Sequence, residues 1–144
     1  MIRLYTDQDT EAVIALWRAA SDLAHPFLST QFQDRAEILT RDIYLKMAET
    51  WVHEVDGEVV GFIGLLEMEQ IWHIGGLFVR PDWHGQGVGR ALVDHAAKRK
   101  RPLTVDVFVD NAIGRGFYKA YGFMGDERHI DPHSGFELLR LTVG

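Results

Sequence analysis

An α/β fold on a mixed sheet is what this sequence predicts, and three observations carry the prediction. Apolar residues switch repeatedly between strand-like alternation and helical spacing along the chain. A turn holding three alternate glycines, Gly85, Gly87 and Gly89, joins a buried apolar run to an amphipathic one. Asp56-Gly57 separates two alternating runs, the signature of a tight hairpin. The predicted order is β-α-α-β-β-β-α-β-α-β-β, an α/β (α+β) arrangement of about seven strands and four helices in one domain spanning residues 1–144.

Each element has its own warrant. Residues 2–5 form a short strand, and Thr6 or Asp7 is placed to cap the helix after it. Val13, Ile14, Leu16 and Trp17 recur at helical spacing over residues 10–24, and Pro26 ends that helix. A second helix is expected over residues 33–47. Residues 51–55 and 58–67 alternate as strands about the hairpin turn, and residues 72–79 make the next strand. Gly75-Gly76 inside that strand predicts a bulge. A helix over 88–99, a strand over 103–109 and a helix over 112–121 come next, the last closed by Gly122. Strands over 124–130 and 136–143 flank a proline- and glycine-bearing loop, which makes a turn the better reading of His129-x-Asp131-x-His133 than a metal chelate.

Bulk properties exclude several classes of function. With 47% hydrophobic and 25% charged residues the chain is of ordinary globular composition. No apolar run is long enough to span a bilayer and no signal-peptide pattern opens the chain, so no membrane partner and a cytoplasmic location are expected. There is no cysteine, which removes disulfides, thiolate nucleophiles and Cys-ligated metals. A net charge of −6 argues against non-specific nucleic-acid binding. The one basic run, Lys98-Arg99-Lys100-Arg101, falls at a helix C-terminus, where cations complement the dipole.

The glycine turn carries the chemistry. Between a strand and a helix, glycines let amide N–H groups face a ligand, and the helix adds its positive end. A P-loop would need Lys-Ser or Lys-Thr after the glycines, which is absent, and a dinucleotide fingerprint would need glycine where Arg90 stands. What remains is His84-x-x-Gly87-x-Gly89, preceded by Leu77-x-Val79 and a proline turn. This arrangement resembles the acetyl-CoA pyrophosphate loop of the GNAT N-acetyltransferase superfamily, written Q/R-x-x-G-x-G/A, with His84 in place of the usual Gln or Arg. A second stretch, Asp110-Asn111-Ala112 followed by Phe117-Tyr118-Lys119-Ala120-Tyr121-Gly122-Phe123, is similar to the segment that holds the pantetheine arm in that family. The likeness is greatest over residues 59–123 and points to small single-domain bacterial members.

The resemblance implies acetyl-CoA as co-substrate and a primary amine as acceptor: a protein lysine, an N-terminus or a small amine. His84, Gly85, Gln86, Gly87, Val88, Gly89 and Arg90 would hold the pyrophosphate. Leu77 would pair its backbone with the pantetheine, Phe78 or Val79 would offer an N–H to the oxyanion, and Asn111 would reach the pantetheine or cap its helix. Tyr118 stands where relatives carry the tyrosine that protonates the leaving thiol. His73, eleven residues before His84, holds the position of a general base in some members, with Glu67, Glu69 or water as alternatives. His25 and Phe27 would wall the acceptor site. No metal is implied, and a monomer or homodimer is expected. A catalytically silent acyl-CoA sensor is the alternative, and it would not need the Tyr118 hydroxyl.

Overall fold

The computed structural model describes residues 1–144. Strand β1 (Ile2–Leu4) is followed by a short 3-10 turn and helix α1 (Thr10–Ala24). The Asp9 carboxylate accepts the Thr6 N–H at 2.9 Å and is gripped by Arg3 at 2.8 Å, which fixes where α1 starts. Helix α2 runs from Thr30–Leu39 through a π turn at Thr40–Tyr44 into a last turn, Leu45–Met47. It begins three residues earlier than periodicity suggests, because Ser29 Oγ accepts the Phe32 N–H at 3.1 Å and caps it.

Strands β2 (Glu49–Val55), β3 (Glu58–Met68) and β4 (Ile71–Val79) form a meander. Helix α3 (Val88–Arg99), strand β5 (Leu103–Phe108) and helix α4 (Ala112–Tyr121) follow, and β6 (Met124–Ile130) and β7 (Glu137–Val143) close the chain. The seven strands order as β1-β2-β3-β4-β5-β7-β6 in one sheet, antiparallel except for β4 against β5. This is the mixed sheet with four helices that the sequence predicts. Arg99 Nη1 and Arg101 Nε donate to the His95 and Ala97 carbonyls, so part of the basic run closes the C-terminus of α3.

Helices cover the sheet from both sides. One face packs under α3 and α4 through Ile63, Ile74, Leu92, Val105, Val107 and Tyr118. The other packs under α1 and α2 through Val13, Trp17, Leu45, Val52 and Phe62. Successive strand residues alternate between these faces. Residues 104, 106 and 108 of β5 therefore look away from the layer that buries Leu103, Val105 and Val107.

The predicted bulge is present on β4. Gly64 pairs with Gly76 and Leu65 with Ile74, leaving Gly75 as the extra residue. The Tyr44 phenol lies against it: a Cβ built on Gly75 would stand 2.8 Å from Tyr44 Oη, and one on Gly64 would overlap the same oxygen. Glycine at both positions is a packing requirement of that ring.

Candidate active site

The site arises where β4 and β5 stop pairing. Their register runs Trp72↔Leu103, His73↔Thr104 and Ile74↔Val105 and goes no further. Past that point Gly75–Val79 and Asp106–Phe108 line opposite walls of a cleft of about 740 Å³. On its inner side β4 remains bonded to β3 up to Gly61↔Val79. The backbone groups of β4 that would have met β5 are thus free to pair with an extended ligand arm. The cleft passes through the sheet, with Val105, Val107 and Tyr118 on one side and Ala20, Ala24 and His25 on the other.

The glycine turn forms part of the cleft lining. Gly85 and Gly87 have φ of +78° and +84°, and nothing lies within 4 Å of where their Cβ atoms would be. Gly87 is the residue before α3, and Ala91 N–H is the first to bond back to it, at 3.0 Å. The amides of Val88, Gly89 and Arg90 therefore open on the cleft with the helix dipole behind them. This bare concavity of N–H groups fits the pyrophosphate of a coenzyme A thioester. Phe117 packs closely enough on Gly89 that a Cβ there would lie 3.1 Å from its ring, which holds α3 and α4 close at the cleft floor.

The side chains around the turn are arranged less simply than the amides. His84 directs Nε2 to the Val79 carbonyl at 3.0 Å, bracing the turn against β4. Gln86 donates to the Asp82 carbonyl at 3.4 Å and is outside the cleft lining. Arg90 stacks over the Tyr121 ring, 5.1 Å from its centroid, at the cleft mouth. The Tyr121 hydroxyl in turn donates to Asp94 at 2.6 Å.

Tyr118 is only 6% exposed and lines the cleft. Phe117 and Phe123 meet its ring edge-on at 5.3 and 5.1 Å and fix its direction. Burial pushes its phenol up, so the hydroxyl keeps its proton at neutral pH and is a donor. Leu77 and Val79 turn toward the α3–α4 layer, whereas Phe78 faces α1 and stacks on Phe62 at 5.6 Å.

Asn111 and His25 act as a pair. Asn111 Oδ1 accepts the Gly114 N–H at 2.8 Å, so it caps α4, and its Nδ2 donates to His25 Nε2 at 3.2 Å. That leaves the His25 proton on Nδ1, facing Ser21 Oγ at 3.1 Å. Burial pushes His25 down to about 4, and it is neutral at physiological pH. The network ties the end of α1 to the start of α4 across the cleft. Ser21, and Gln33 which donates to it at 2.8 Å, carry no local signal of this role.

Besides Gln86, two candidates lie elsewhere than expected. His73 is not part of the cleft wall: Nδ1 is 2.8 Å from Thr104 Oγ1 and Nε2 faces Asp106 at 4.0 Å. It belongs to the paired part of β4, one residue short of the fork, and both nitrogens are turned to protein groups. Phe27 is likewise outside the lining and packs on Phe108 at 5.5 Å and Phe136 at 5.0 Å. In their place the fold brings Asp106 and Phe108 to the cleft. The alternation in Leu103-Thr104-Val105-Asp106-Val107-Phe108 is the signal that places them on one face.

Known proteins share this architecture. Residues 4–123 match the model of the acetyltransferase (GNAT) family. A peptidyl-lysine N-acetyltransferase of Salmonella typhimurium, YjaB, is 41% identical over 143 residues, 97% of this chain and 95% of that protein. YiaC of Escherichia coli, also a peptidyl-lysine N-acetyltransferase, is 32% identical over 123 residues, 85% of this chain and 82% of that one. The solution structure of apo YjaB from Escherichia coli superposes with a TM-score of 0.85 at 35% identity, covering 99% of this chain and 95% of the other. The chain belongs to the acetyltransferase (GNAT) family, and it is an N-acetyltransferase with acetyl-CoA as its co-substrate.

Proposed function

We propose that this unit transfers acetyl from acetyl-CoA to the side-chain amine of protein lysines, in one step within a ternary complex. The observation that carries the reading is the cleft through the sheet. Its lining draws on both layers, Tyr118 on one side and Ala20, Ala24 and His25 on the other, which supports entry of the thioester and the amine from opposite faces. Peptidyl-lysine acetylation, the activity of the YjaB and YiaC relatives, supports the choice of acceptor.

The chain's own groups account for each stage. Amides of Val88, Gly89 and Arg90 hold the pyrophosphate, with Gly85 and Gly87 giving them access. The free edge of β4 at Leu77 and Val79 pairs with the pantetheine, and a backbone N–H at Phe78 or Val79, beyond the Gly75 bulge, faces the carbonyl oxygen as charge develops on it. As the nitrogen of the neutral amine bonds to the carbonyl carbon and the C–S bond breaks, Tyr118 gives its proton to the departing sulfur, and the proton that the nitrogen sheds as the amide forms passes through water to restore the phenol. No cysteine is present to take the acetyl group as a thioester on the protein, which agrees with direct attack.

Tyr118→Phe tests the assignment. Thiol release from acetyl-CoA with a lysine peptide should slow by about 100-fold or more, the usual worth of a general acid, while acetyl-CoA still binds and protects against unfolding. Wild-type turnover in the Phe variant would refute the role of Tyr118. Failure of the wild type to be stabilised by saturating acetyl-CoA would refute the function itself.

A further inference from the structure

The face of the sheet opposite α3 and α4 carries a polar cluster that the transfer steps do not use. Its centre is Asp106, the first residue of β5 beyond the last pair with β4, and it lines the cleft. Arg140 on β7 holds its carboxylate in a fork, Nε to Oδ1 and Nη2 to Oδ2, both at 2.9 Å. Oδ2 also faces His129 Nε2 on β6 at 3.5 Å and His73 Nε2 on β4 at 4.0 Å. Two residues further along the same face, Phe108 lines the cleft, backed by Phe27 and, through it, Phe136.

We propose that Asp106 is the docking residue for the acceptor amine, entering from this face while the thioester enters from the other. A carboxylate has about four lone-pair directions, and the Arg140 fork takes two of them, so N–H acceptors remain. The Phe108 ring in the cleft suits the methylene stem of an alkylamine. An isolated carboxylate would hold an ammonium's proton tightly and oppose attack. The Asp106–Arg140 pair carries no net charge, so it orients an N–H donor without fixing that proton. The charged groups around it are Arg140, His73 and His129 at the carboxylate, with Glu127 and Glu69 acting on Arg140. His129 and His73 stand 3.5 and 4.0 Å from Oδ2, beyond the 2.9 Å of the fork, and leave that oxygen room for an N–H donor.

This rests on the acetyl-transfer reading of the cleft, and acetyl-CoA binding by the wild type, followed by calorimetry, tests that reading separately. The acceptor probe is Nα-acetyl-lysine amide, with thiol release as the readout. In Asp106→Asn the KM for the probe should rise at least tenfold, with the Kd for acetyl-CoA within twofold of wild type. An unchanged KM would overturn the proposal, and so would parallel loss of acetyl-CoA affinity in a folded variant, the mark of a structural role. Because removing a forked carboxylate can impair folding, Asp106→Glu provides a second arm: it keeps the charge for Arg140 but moves the accepting oxygens by one methylene. Its KM for the probe should rise several-fold at constant pH, with acetyl-CoA affinity kept. A wild-type KM in the Glu variant would overturn the proposal.

Discussion

Gly87→Ala probes the glycine turn most directly. Gly87 has φ +84°, a conformation in which a Cβ costs about 1–2 kcal/mol through its own backbone. Nothing lies within 4 Å of the added methyl, so no packing term offsets or enlarges that cost. At about 2.1 cal/mol/K per residue, 144 residues give an unfolding entropy of roughly 0.3 kcal/mol/K. The variant should therefore melt about 3–7 °C below wild type. The open space above Gly87 is also where a pyrophosphate would rest on the Val88–Arg90 amides. The methyl should accordingly weaken acetyl-CoA by about tenfold or more, about 1.4 kcal/mol per decade. Differential scanning fluorimetry and calorimetric titration measure the two effects. Gly116→Ala serves as the control. Gly116 lies inside α4 without a positive φ and with free space around it, so alanine should raise the melting temperature slightly, by a gain of about 0.5–1 kcal/mol. A Gly87→Ala protein with wild-type melting temperature and wild-type acetyl-CoA affinity would refute both halves of the reasoning.

Other perturbations test the scaffold around the cleft. Gly75→Ala places a Cβ 2.8 Å from Tyr44 Oη and Cε2, and overpacking of this kind should cost about 1–3 kcal/mol in urea denaturation. Tyr44→Phe should be neutral or stabilising, because Tyr44 Oη is buried without a hydrogen-bond partner; a clear loss of stability would show that the hydroxyl is engaged. His25 has its pKa depressed from 6.5 to about 4, so the unfolded chain binds the extra proton first as pH falls. The stability this provides is complete above about pH 6.5 and is lost progressively toward pH 4, by roughly 3 kcal/mol at most. Replacing His25 with Gln should flatten that part of the stability-against-pH curve, and an unchanged slope would show that other groups dominate it.

What the sequence determined alone is what contiguous residues encode. The hairpin at Asp56-Gly57, the glycine turn before α3, the strand over Leu103–Phe108 and the Asn111 cap after it all read correctly because each is a local pattern. Helices α1, α3 and α4 fall at their predicted bounds for the same reason. Tertiary structure decided the rest, because it depends on register between segments far apart in the chain. Pairing of β4 with β5 stops at Ile74↔Val105, and that single fact puts Asp106 in the cleft and leaves His73 behind the fork. The His84 ring belongs to the Val79 carbonyl for a like reason: the proline turn folds it back onto β4. His25 and Asn111, 86 residues apart, meet only because α1 and α4 end on either side of the same gap in the sheet. Periodicity tells which face a side chain occupies; it does not tell where two strands part.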